Sequence, residues 1–291
     1  MGDLSDLELA RYGSPGVSDT DLVTDLAAAV ISDMAVEPPI DHALVASWRG
    51  VDRVEEADIP WAGCLVREEG RLVAKVRASD PWGRKRFSVF HEIGHTFLPG
   101  FAYATQYRCD PQPARPGRRD DLDPLEVLSD IAASELLLPK QAFVADLSGE
   151  ASTLATVEAL AARYDASLEA TAHRLVGLVD RPALLIAFEL ARARSRPGLA
   201  PTLRVRWAHG NSGTWPYVPP NKSAPDDSPF KRALDGSPVD EIGDIHGLTA
   251  TPLRHVRISA GLYPYYGADG NLRQRVLALV SPAPKRGQYA G

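Results

Sequence analysis

Apolar residues first recur at helical spacing in residues 19–34, where Leu22, Leu26, Ala29 and Val30 share one face. Ser18 or Asp19 can cap that helix, and Pro38-Pro39 ends it. A short helical stretch follows at 41–48. The texture then turns strand-like, and 61–67 with 72–77 read as a hairpin across a turn containing Gly70. A helix over 84–98 comes next, closed by Pro99-Gly100, and another over 124–138 stops before Pro139. Between these helices, 99–124 is a polar loop with prolines at 99, 111, 113, 116 and 124. A loop that long inside a compact domain is usually functional.

Residues 153–176 read as two short helices around a turn at 164–167. Leu154, Val157, Leu160 and Ala161 line the first, and Leu168, Ala172 and Leu175 the second. Beyond Arg181-Pro182 the runs 203–208, 253–263 and 272–280 favour strands, with a turn at 267–270. The proline-rich stretch 216–238 reads as a loop or insert, and no solenoid repeat is present. The pattern predicts an α+β chain with helices first and a β-rich C-terminal part.

Composition narrows the class. Of 291 residues, 44% are hydrophobic and 24% charged, an ordinary globular balance. No run reaches the eighteen or so apolar residues that a membrane helix needs. The acidic start Met1-Gly2-Asp3-Leu4-Ser5-Asp6 has no secretory signature, and Asp6 breaks the myristoylation pattern. The expectation is a cytoplasmic protein without membrane contact. A net charge of −6 argues against a protein dominated by phosphate contacts. Cys64 and Cys109 are the only two cysteines, too few for a thiolate zinc site, and the expectation for both is a reduced thiol. Any metal must therefore be held by histidines and carboxylates.

The segment Phe87-Ser-Val-Phe-His91-Glu92-Ile-Gly-His95-Thr-Phe-Leu98 supplies them. Residues four apart on a helix share a face, so His91 and His95 can aim two imidazole nitrogens at one point. Neutral imidazoles are good zinc ligands. Glu92 is turned by about 100° from His91, beside the metal, where it can take a proton from a water whose pKa the cation lowers. Two surface histidines on an amphipathic helix are the plainer reading; the flanking Phe87, Phe90 and Phe97 weigh against it.

A catalytic zinc of this type takes a third protein ligand. The downstream candidates are Asp110, Asp120, Asp121, Asp123, Glu126 and Asp130. Glu126 and Asp130 lie one turn apart on a stripe that runs on through Ala133 and Leu137. Yet Asp123-Pro124-Leu125-Glu126 is also a capping box, in which Glu126 would simply bond back to the cap. Spacing leaves ligand and cap both open.

The two motifs together resemble the ImmA/IrrE family of metallopeptidases. The match is Phe-x-x-x-His-Glu-Ile-Gly-His over 87–95, then Glu126-x-x-x-Asp130-x-Ala132-Ala133-x-Glu135-Leu-Leu-Leu-Pro139. Ser129 stands where the family usually has Ala, and Ala132 where it has Phe. The resemblance covers about residues 20–180 and implies Glu126 as third ligand, one Zn2+ per chain (Mn2+ being the alternative ion), and Glu92 as the catalytic base. It implies three parts: a zincin-like peptidase domain over 1–147, a helix-turn-helix-like segment over 148–180, and a β-rich, GAF-like sensor over 181–291. It further implies a regulatory endopeptidase that cleaves a DNA-binding repressor of a DNA-damage, stress or mobile-element response. The competing class is a non-catalytic regulator with a structural or vestigial metal site.

Four further expectations follow. The hairpin at 61–78 offers an exposed strand edge for an extended peptide. Tyr103, Tyr107 and Arg108 are candidates for stabilising the oxyanion, with plain loop surface as the alternative. Residues 152–177 carry Arg163 and Arg174 against Glu158, Asp165 and Glu169, a net charge of −1 that disfavours direct DNA binding; His173 reads as an ordinary helix residue. Trp207, Trp215, Tyr217, Tyr263, Tyr265 and Tyr266 offer either core packing or a pocket for a small-molecule signal.

Overall fold

A computed structural model describes residues 4–101, 106–109 (backbone only), 123–211, 215–267 and 271–283. The chain is α+β and divides into two compact units, 1–148 with 160–171, and 149–159 with 172–291.

In the first unit, α1 (Asp6–Gly13) and α2 (Asp19–Met34) are each capped by a serine, Ser5 and Ser18, whose hydroxyls accept from backbone N–H groups of the first turn. α3 (His42–Trp48) leads into β1 (Val51–Ala57), β2 (Gly63–Glu68) and β3 (Arg71–Arg77). β2 and β3 form the expected hairpin. Its two-residue loop is Glu69-Gly70, both at positive φ (50° and 83°), as a tight hairpin turn requires. β1, which the apolar pattern does not announce, pairs parallel with β3. β4 (Gln106–Cys109) pairs antiparallel with β2, and the sheet order is β1-β3-β2-β4. Both strands of the expected hairpin are therefore paired on their outer sides, β3 by β1 and β2 by β4, so among the described residues β1 and β4, not the hairpin, form the edges of the sheet.

Under β2 and β3 of the sheet lies α4 (Trp82–Gly94), and α5 (Pro124–Leu137) packs on α4 and α2, followed by α6 (Lys140–Leu147). α4 is shorter than the expected 84–98 helix: it ends at Gly94, and His95–Phe97 form a single 3-10 turn. Glycine weakens a helix interior, and here it also serves a contact. A Cβ on Gly94 would lie 2.9 Å from the Ser129 carbonyl oxygen and 3.1 Å from the Ala132 Cβ, so α4 and α5 meet backbone to backbone. Val89, Phe90 and Ile93 of α4 and Leu128, Ala132, Ala133 and Leu136 of α5 are buried with Leu65, Val73 and Val76 of the sheet. Each such large apolar side chain contributes on the order of 1.5–3 kcal/mol on burial.

The middle segment forms the two expected helices, α7 (Leu154–Tyr164) and α8 (Leu168–Leu178), joined at Asp165 with φ 49°. Their junction belongs to the first unit. Trp82 Nε1 donates to Asp165 (2.7 Å), Tyr164 donates to Asp146 (2.8 Å), and Phe143 packs on the Tyr164 ring at 5.3 Å.

The second unit is built on β5 (Leu184–Ala191), β6 (Thr202–Gly210), α9 (Pro229–Leu234), β7 (Val239–Ile245), β8 (Leu253–Leu262), the short β9 (Tyr265–Tyr266) and β10 (Leu272–Arg273), and β11 (Arg275–Pro282). Five of these strands form an antiparallel sheet ordered β6-β5-β11-β8-β7. α9 interrupts the stretch expected to be loop. It begins at Pro229, the position where a helix tolerates proline, and Phe230 stacks on Phe188 at 4.5 Å. Residues 268–270 of the expected 267–270 turn lie outside the described residues.

The expected outcome of Gly94→Ala follows from the backbone contact with Ser129. A methyl that can move only by separating the helices costs about 1–3 kcal/mol. Thermal unfolding of the variant against the parent measures it, and an unchanged melting temperature would contradict the contact.

Candidate metal centre

α4 is nearly all buried from Ser88 onward, and His91, Glu92 and His95 are each at most 2% exposed. The four-residue spacing survives the change from α-helix to 3-10 turn, and the two imidazole centroids lie 5.0 Å apart. Glu126 arrives from α5. Asp123 caps that helix by accepting from the Leu125 N–H (2.9 Å), and the Glu126 carboxylate turns to the histidines. Its two oxygens lie 3.1 Å from His91 Nε2 and 3.5 Å from His95 Nε2. One ligand atom from each of His91, His95 and Glu126 falls within 4.8 Å of the others, a cluster that can hold a metal ion.

The outward nitrogens are also engaged. His91 Nδ1 lies 2.8 Å from an Asp130 oxygen, and His95 Nδ1 lies 3.0 Å from the Ser129 hydroxyl. Asp130, one of the candidate ligands, therefore contacts the far side of His91. A carboxylate there holds the ring's orientation and raises its strength as a ligand. Asp110, Asp120, Asp121 and Tyr103 lie outside the described residues. Tyr107 and Arg108 lie on β4, paired with Leu65 and Cys64.

Glu92 is the most constrained group. Its carboxylate is fully buried, and neither oxygen has a hydrogen-bond partner within the described residues. Burial pushes it up to about 8, with the Glu126 charge adding to the rise and the charge on His91 and the Leu65 backbone opposing it. A cation beside it would pull it down again. Burial, reinforced by the charge on His91, drives His95 down to about 3, which keeps its imidazole neutral, the form that ligates. Two convergent imidazoles, a carboxylate and a buried acid without a hydrogen-bond partner among the described residues fit a bound divalent ion. Two imidazoles and one carboxylate are a donor set that zinc accepts.

Gly63, on β2, is the residue that sequence reasoning passed over. A Cβ there would stand 2.5 Å from Glu92 Oε1. Glycine is what lets the carboxylate press against the strand, and the signal was a glycine opening a strand next to apolar positions. The aromatic set of the C-terminal part does not gather into one pocket. Trp215 lines a shallow cavity of about 340 Å³, Tyr217 and Tyr266 are exposed, and Tyr263 and Tyr265 donate to Glu158 and Glu189. His173, expected as a plain helix residue, stacks on Trp207 at 4.9 Å.

An α+β unit with a buried H-E-x-x-H helix and a glutamate from the next helix defines the class of zincin-like peptidases and their regulatory relatives. Residues 71–176 match the family described as Peptidase_M78, IrrE N-terminal-like domain, and the chain carries an ImmA/IrrE-family domain, as its motifs anticipated. The matched span contains His91, Glu92, His95 and Glu126. A solved structure described as a Mycobacterium tuberculosis transcriptional regulator is similar in fold, with TM-score 0.56 at 14% identity over 89% of this chain and 76% of that one. No curated protein matches the chain in sequence. Among the described residues, no helix is long and apolar enough to cross a membrane.

Glu92 and His95 should leave opposite marks on stability in chelator-treated protein. Glu92 is raised from 4.5 to about 8, so its contribution is fully present below about pH 4.5 and is lost as pH rises through 8. His95 is lowered from 6.5 to about 3, so its contribution is present above 6.5 and lost as pH falls towards 3. Glu92→Gln removes the first dependence alone. Its stability relative to the parent should be constant in acid and grow between about pH 4.5 and 8, read from urea midpoints across that range. Parallel curves for the two proteins would rule out the buried, proton-holding Glu92.

Proposed function

We propose that this protein is a cytoplasmic, zinc-dependent regulatory endopeptidase. The observation that carries the reading is the buried Glu92 carboxylate, without a hydrogen-bond partner among the described residues, beside the convergent His91, His95 and Glu126. His91, His95 and Glu126 are the metal ligands, and Asp130 orients His91. A zinc ion held by them would supply a Lewis acid and lower the pKa of a nearby water. Glu92 is the base placed to take a proton from the attacking water and to return it to the leaving amine. Gly63 keeps the Glu92 carboxylate against β2. Tyr107 and Arg108, on the strand paired with β2, are the candidates for the oxyanion donor together with Tyr103.

The substrate is a protein, a DNA-binding repressor of a stress, DNA-damage or mobile-element response. The ImmA/IrrE likeness and the description of the similar fold as a transcriptional regulator support this. In this reading 1–147 is the peptidase, 148–180 a helix-turn-helix-like segment that does not itself read DNA, and 181–291 a β-rich sensor for a small-molecule signal.

Two variants test it. With zinc-loaded protein and repressors encoded nearby in the same genome, Glu92→Gln should retain zinc and lose cleavage by about 10²–10⁴-fold, the usual contribution of a general base. Mass spectrometry of the repressor reads the outcome. Loss of zinc with the variant, or biological output that survives it, would favour a non-catalytic regulator. Gly63→Ala should also keep zinc, because it touches no ligand, and reduce cleavage on the order of 10²-fold by displacing the Glu92 carboxylate. Parent-like cleavage in that variant would remove Gly63 from the mechanism.

A further inference from the structure

A neutral imidazole has one lone pair. The nitrogen that faces a metal must be the unprotonated one, so the other carries the proton and needs an acceptor. For His91 that acceptor is Asp130, a half-exposed carboxylate. For His95 the structure offers a different group. The Ser129 hydroxyl lies 3.0 Å from Nδ1, and both residues are buried, at 0% and 1% exposure. We infer that Ser129 is a positioning residue of the metal centre, accepting the His95 Nδ1–H and so aiming His95 Nε2 at the ion. The inference rests on the metal-centre reading above and assigns a role to a position where this chain departs from the motif it resembles.

The local packing explains how a side chain this short does the job. Glu126, Ser129 and Asp130 stand at i, i+3 and i+4 on α5, which puts them on one face. The helix crosses α4 at its closest approach, where a Cβ on Gly94 would be 3.2 Å from the Ser129 Cα. At that separation a hydroxyl on the first side-chain carbon reaches His95, and a longer side chain would have to part the helices. Alanine, the usual residue in the motif, fills the same space and provides no acceptor. A hydroxyl also adds no charge beside the buried His95, which a carboxylate would. The three residues of one helical face thus address all four ring nitrogens: Glu126 the inner nitrogens of both rings, Asp130 the outer nitrogen of His91, Ser129 the outer nitrogen of His95.

The test compares the full-length parent with Ser129→Ala, which is smaller and fits without strain. Zinc affinity is measured by competition with a chromogenic chelator, and the Co2+-substituted proteins are compared by visible absorption. Urea midpoints of the chelator-treated proteins report on folding alone. The expected result is a zinc affinity weaker by about 10–100-fold, the usual effect of removing such a partner. The Co2+ ligand-field bands should shift as the His95 ring loses its anchor, while the urea midpoint stays near that of the parent. Equal zinc affinity and an unchanged Co2+ spectrum in Ser129→Ala overturn the inference and leave the metal centre standing. Weaker affinity matched by a lower urea midpoint, with the spectrum unchanged, assigns Ser129 to packing and overturns it too. A parent that is folded and takes up neither metal overturns the metal-centre reading itself, and this inference with it.

Discussion

The structure turns on the place where α4 and α5 touch backbone to backbone. Gly94 permits that approach, and everything chemical in the first unit is arranged around it. α4 alone presents two histidines and cannot complete a metal site. α5 brings one carboxylate to both inner nitrogens and two further groups to the outer ones, all from a single face. The same stripe continues through Ala132, Ala133 and Leu136 into the core, so apolar burial holds the polar end in register. Moving the helices apart by the width of a methyl group would loosen packing and ligand geometry together.

The centre concentrates charge where charge is costly. His91 and His95 are all but fully buried, Glu126 is partly buried beside them, and Glu92 sits fully inside with one oxygen against β2. Such an arrangement lowers stability unless a cation compensates it. Burial displaces Glu92 upward and His95 downward, opposite shifts of a kind that cluster at functional sites. β4 is itself the edge strand on that side of the sheet, so β2, which carries Gly63 against Glu92, is an inner strand.

Much of the architecture could be read from apolar spacing, and the parts that could not have identifiable reasons. α2, α4, α5, the β2–β3 hairpin and the α7–α8 pair follow from periodicity and from their prolines and glycines. β1 was missed because Val51, Val54 and Ala57 fall three apart among charged residues, a helical spacing; its pairing with β3 overrides that local signal. β5 is a near-continuous apolar run, buried from Leu184 to Phe188, which periodicity cannot tell from a core helix. β7 is an edge strand with acidic residues facing outward, and α9 is hidden among prolines because Pro229 opens it.

At the site the division is sharper. The sequence alone determined that His91 and His95 share a face and that Glu92 stands beside them, because helical geometry converts spacing into direction within a few residues. It also determined that any metal must be held without thiolates. Tertiary structure decided the rest. It sent Glu126 to the histidines rather than back to its cap, put Asp130 on the outer nitrogen of His91 rather than in the inner cluster, set Ser129 against His95, and pressed Gly63 onto Glu92. Those outcomes depend on how two helices and a strand far apart in the chain approach one another. Such approach distances are set by the shapes packed between the elements, and no local period along the chain records them.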